Sequence, residues 1–90
     1  MKIRSALFAL ATFSLSAAAV AGPQCTEAAK DSWLPEATMK QKIADAGYVI
    51  DKFKVTSGNC YEIYGKDKAG QKVEIYFNPV DGSVAKEKRG

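Results

Sequence analysis

Three observations predict an α+β domain, with one helix packed on one face of a three- to four-stranded antiparallel meander sheet. A single stretch places Met39, Ile43 and Ala46 at helical spacing. Three later runs alternate apolar and polar residues, and short turns rich in Gly, Asn, Asp and Pro separate them. One helical period followed by several two-residue periods describes a helix that needs a sheet to lie on, and a sheet with one face to cover.

The first 21 residues stand apart from that domain. "MKIRSALFALATFSLSAAAVAG" carries Lys2 and Arg4, then an apolar run, then small residues. Ala19 and Ala21 occupy the two positions a leader peptidase reads, which predicts a secretory signal peptide cut before Gly22. The run is short for a span of about 30 Å of hydrocarbon, and no basic stop follows it, so no stable membrane insertion is expected afterwards. Residues 22–90 then form one exported domain in the periplasm or outside the cell, with its core at about 33–86. This 69-residue chain keeps all ten acidic and eleven of the thirteen basic residues, a net charge of +1. A near-neutral chain with interspersed charges gives no electrostatic case for nucleic acid as a partner. The short basic tail "KEKR" (Lys86–Arg89) is the one local excess.

A domain this small buries only about 60% of its unfolded surface and commonly needs a covalent staple. Cys25 and Cys60 both lie in the exported part and are expected to form one disulfide. Closing a loop of that length contributes roughly 4 kcal/mol on the chain-entropy account. A reactive thiol is the alternative. It needs a neighbour that generates thiolate, and the chain has no histidine and no C-x-x-C spacing.

Each element has its own local cause. "GPQCTEAAKDSW" (22–33) reads as a polar arm with at most one helical turn. "LPEATMKQKIADAGY" (34–48) reads as one helix, with Pro35 suited to the first turn, Glu36 to the positive end of the dipole, and Gly47 to the stop. From Val49 the period is two. Val49, Phe53 and Val55 are expected on the covered face of the first strand, Tyr61 and Ile63 on that of the second, and Val73, Ile75 and Phe77 on that of the third. Val84 opens a short fourth candidate.

"TSGN" supplies a Gly for a tight reversal. "DKAG" (67–70) fits a type I turn with a glycine bulge, which sets Gly65 opposite Val73, Ile63 opposite Ile75 and Tyr61 opposite Phe77. "NPVDG" (78–82) is a proline-nucleated turn at a strand end. The other face is expected to be open, carrying Glu62, Tyr64, Lys72, Glu74 and Tyr76 among lysines. These five are the candidate partner-binding residues, because tyrosines beside charged side chains are common at contact surfaces. The plainer reading makes Glu62 and Glu74 ordinary cross-strand partners. No catalytic constellation is expected, and no metal or cofactor site: Asp67 and Asp81 fall in turns where carboxylates cap backbone N–H groups.

Trp33 ahead of the helix, "GY" at its end, "CYEIYG", and "DKAGQKVEIYFNPVDG" together resemble a small exported PepSY domain, with the family's pattern "YEv…D.dG.kvEvyvdP.tG". The resemblance spans roughly residues 25–86. Asn78 and Asp81 depart from the usual Asp and Thr, and both are good turn formers. PepSY domains occur in propeptides of thermolysin-type metallopeptidases, in sporulation proteins and in membrane-bound reductase-like proteins, and are thought to restrain proteases at the envelope. The resemblance implies a non-enzymatic binding module that modulates or inhibits an exported peptidase or other envelope protein. An accessory docking subunit of an envelope haem, redox or sensor system is the alternative. The family brings no catalytic residues to carry over.

Overall fold

A computed structural model describes residues 22–90 of the chain; the leader reading, with Ala19 and Ala21, lies outside the described residues. A polar arm with one turn of 3-10 helix (Lys30–Ser32) leads into α1 (Glu36–Asp45), followed by β1 (Val49–Val55), β2 (Tyr61–Lys66), β3 (Lys72–Phe77) and β4 (Val84–Arg89). The strands form one antiparallel sheet in the order β1-β2-β3-β4, so the chain never crosses over. The helix lies on one face. This is the predicted α+β meander, with the fourth candidate strand present.

The helix starts one residue later than the sequence suggests, because Pro35 stays extended (φ −57, ψ 148) as the N-cap. Its end is as expected. Gly47 adopts φ +98, its N–H bonds Ala44 O at 2.9 Å, and Tyr48 N–H returns to Ile43 O at 3.3 Å. That pair of bonds is a Schellman stop, which a left-handed residue makes possible. Met39 and Ile43 are almost fully buried, against Ile63, Ile75 and Phe77. Ala46, expected in the same stripe, is instead the exposed C-cap.

The β2–β3 register is the predicted one: Gly65 faces Val73, Ile63 faces Ile75, and Tyr61 faces Phe77. The turn between them is held by Asp67, whose Oδ1 accepts from Ala69 N–H and Gln71 N–H, both at 2.9 Å. At the helix entrance Trp33 stands edge-on to Tyr61, ring centroids 5.6 Å apart, and the Tyr61 hydroxyl donates to Leu34 O. Trp33 thereby closes one end of the core.

β1 corrects the alternation. A bulge between Ile50 and Lys52 inserts Asp51 and shifts the register, so Ile50 pairs with Gly65 and packs against the core. Val49, expected inside, is 57% exposed. Phe53 and Val55 face the core from the sheet's outer edge and are only half-buried, and the Lys40 ammonium lies over the Phe53 ring. One extra residue flips every side chain beyond it. The tail "KEKR" is also not a tail: it is β4, with Arg89 opposite Val73 and its guanidinium on Asp67 and Glu87.

Candidate contact surfaces

The two-residue alternation puts Cys60, Glu62, Tyr64, Glu74, Tyr76 and Asn78 on the face away from α1. The expected open face is in fact half closed. Glu62 is 3% exposed and Tyr76 6%. The arm runs along part of that side: Cys25 and Cys60 are joined by a disulfide, 35 positions apart in sequence. Beside the bond, Cys25 N–H donates to Gly58 O at 2.8 Å, and the side-chain amides of Asn59 and Asn78 donate to Thr26 O and Cys25 O. Trp33 Nε1–H reaches Ala28 O at 3.0 Å.

Gly58 has a different task from the one the turn sequence suggests. The left-handed residue of that reversal is Asn59, at φ +62. Gly58 is required because a Cβ there would sit 2.2 Å from Pro23 O, so only glycine lets the arm lie this close. Neither cysteine is free, which removes both candidate thiols from chemistry.

Beneath and beside the arm, four acidic groups from β2 and β3 converge. Glu62 stands opposite Tyr76 and Tyr64 opposite Glu74, so the two carboxyls are diagonal neighbours. The Tyr76 hydroxyl donates to Glu74 Oε2 at 2.8 Å. Burial pushes the Glu62 carboxyl up, and the neighbouring Glu74 carboxyl pushes it further. Glu74 is held down to about 2, first by its neighbour Glu62 and then by the Tyr76 hydroxyl. Of the two, Glu62 therefore takes up a proton the more readily. Bonds to the two carboxyls push the exposed Tyr64 hydroxyl up to about 12; Tyr76 rises too, chiefly through burial.

The nearest cations are solvated. Lys54 Nζ is 4.0 Å from Glu62 Oε1 and Lys88 Nζ 3.7 Å from Glu74 Oε1, and both lysine side chains are more than half exposed. Glu62 Oε2 is buried without a hydrogen-bond partner. Glu62 and Glu74 are thus more than ordinary cross-strand partners. Their coupling was invisible in the sequence because it depends on burial, which alternation alone does not give.

The five candidate partner-binding residues consequently divide. Glu62 and Tyr76, expected on an open face, are buried in this chain. Tyr64, 41% exposed, Lys72 and the half-covered Glu74 remain together, lining a shallow recess of about 240 Å³ with Lys88.

A larger concavity lies on the opposite face and was missed in the sequence. It is a groove of about 470 Å³ between α1 and the β3–β4 edge, floored by Met39, Ile43, Phe77 and Val84, with Tyr48 and Lys42 among its walls. Of its floor, Val84 is 54% exposed. The groove exists because β4 continues the sheet past the width one helix can cover, and Val84 is its one strongly apolar residue. The only signal available was that a ten-residue helix with two buried anchors is too narrow for four strands.

Among the described residues, no group of three or more Cys, Asp or Glu is placed to hold a metal ion, and no helix is long and apolar enough to cross a membrane. The fold and its surfaces define a small disulfide-stapled α+β module built for contact. The profile of the peptidase propeptide and YPEB domain, PepSY, matches residues 5–88. The chain belongs to the PepSY family. No curated protein and no solved structure matches it.

Proposed function

We propose that this chain is exported with its leader cut before Gly22, and that in the periplasm or outside the cell it is a non-catalytic module restraining a peptidase or another envelope protein. Family membership and the use of both cysteines as a staple support that reading. The carrying observation is the apolar groove between α1 and β4, which runs into a strand with one row of backbone groups facing away from the sheet. Apolar concavities of this kind mark contact sites, and a free strand edge accepts an added strand.

β4 carries Lys86, Lys88 and Arg89 against one Glu87, and Lys42 rims the groove. The occupant that fits is an extended, acidic segment of the partner, paired to β4 with one apolar side chain over Val84. Capture from envelope extract by immobilised protein, with inhibition assays on co-exported metallopeptidases, tests this. Val84→Asp is expected to reduce capture at least tenfold, while Tyr64→Ala on the other face leaves it unchanged. Loss with Tyr64→Ala alone would move the contact to the other face. The absence of both capture and inhibition would sink the reading.

A further inference from the structure

The arm reaches the acidic cluster at Gly22. A Cβ built on Gly22 would lie 2.5 Å from Tyr76 Cε2, 2.7 Å from Cζ and 2.9 Å from the hydroxyl oxygen. Any side chain at this position would push the arm off the ring. Standard covalent geometry then keeps the Gly22 backbone nitrogen within about 5.5 Å of the Tyr76 hydroxyl. That hydroxyl is 2.8 Å from Glu74 Oε2, and Glu62, with its unpartnered buried oxygen, is the other member of the carboxyl pair.

While Gly22 is joined to Ala21, its nitrogen is an uncharged amide. A cut between them turns it into an ammonium with three donors, beside two carboxyls whose other cationic neighbours are held in water. We propose that the α-ammonium released at Gly22 docks on the Glu62–Glu74 pair, so that removing the leader completes the closure of this face of the sheet.

This inference rests on the leader being cut before Gly22. The titratable groups on the pair's face of the sheet are Lys52 and Lys54 from β1, Tyr64 and Lys66 (itself paired with Asp51) from β2, Lys72 and Tyr76 from β3, and Lys86 and Lys88 from β4; the arm from Gly22 to Cys25 contributes no titratable side chain. In the uncut chain the amide brings no charge to the pair. In the cut chain the ammonium sets a positive charge beside both carboxyls. A cation beside carboxylates loses its proton less readily, so its stabilising contribution is present below the ordinary α-amine value of about 8 and is lost as pH rises through the higher folded value.

The test uses the exported protein recovered from the host envelope. Intact mass fixes its first residue, and an NMR titration of the Gly22 Cα follows its amine. A chain beginning at Gly22, whose amine titrates at least one unit above about 8 and returns to that value in Glu74→Gln, is the expected result. A Ser inserted between Ala21 and Gly22, with the cut retained before it, is expected to lower the Tm by about 5 °C at pH 7 and to leave little difference at pH 10. A chain that begins elsewhere overturns the leader reading and this inference with it. A chain that begins at Gly22 with an ordinary amine overturns the docking alone. Glu62→Gln gives a second check, since it removes the buried charge at nearly constant volume.

Discussion

The two faces of the sheet solve the same problem by different means. On one, Ile63 and Ile75 are fully buried under Met39 and Ile43 of a regular helix. On the other, Glu62 and Tyr76 are nearly as buried, and Tyr76 meets an irregular arm held by a disulfide, backbone carbonyls and asparagine amides. The helix side is apolar and sealed by packing, so its stability spreads over many dispersion contacts. The arm side is polar and sealed by a few discrete bonds, so it depends on single residues. Burial alone does not show which mechanism is at work.

The comparison breaks most sharply at the disulfide. Replacing both Cys25 and Cys60 by Ser is expected to destabilise the protein by about 4 kcal/mol in urea unfolding, from the loop closure that is lost. The arm-face amides should then exchange with solvent before those of α1. Equal exposure of the two faces would mean that they share one cover.

On the helix face, Ile75→Ala leaves a cavity under α1 and is expected to cost about 3 kcal/mol. It should leave the environment of the Tyr76 ring, seen by NMR, as it was. Gly58→Ala forces a Cβ against Pro23 O and is expected to cost about 2 kcal/mol, with chemical-shift changes concentrated in residues 22–28.

The smallest effect concerns protons. The folded Glu74 carboxyl is held below its ordinary value, so its contribution is present above about pH 4.5 and is lost as pH falls toward 2. Glu74→Gln should flatten that acid limb by about 1 kcal/mol, measured as urea midpoints between pH 2 and 6. Glu62 acts in the opposite sense in the uncut chain: its raised carboxyl favours the fold at low pH, and that benefit is lost as pH rises through the folded value.

The sequence revealed the helix face almost completely. Periodicity found Met39, Ile43, Ile63 and Ile75, and the Asp67 turn fixed the β2–β3 register, because a two-residue period and a tight turn are local properties. Apart from Ala46, which caps the helix instead of packing, the misses on that face came from one inserted residue. Asp51 turned Ile50 inward and Val49 outward, and a bulge leaves no mark in the alternation until a partner strand is present.

The arm face was much less legible. The cysteine pairing could be argued from compartment and count, and it is present in the structure. That the paired arm would reach Tyr76 depends on Gly58 and on two asparagines distant from it in sequence, none of which carries a periodic signal. The groove beside α1 was hidden for a related reason. It reflects how wide the sheet becomes once Lys86–Arg89, which looked like a loose basic tail, pairs with β3.

The sulfur–sulfur bond also gives the molecule two mechanical states on either side of a redox boundary. With the thiols reduced, the arm is held by hydrogen bonds alone and the sheet's polar side is an unlatched seam. Such a chain is easier to pull through a narrow passage. Once oxidised, the latch makes the same chain resist being pulled out again.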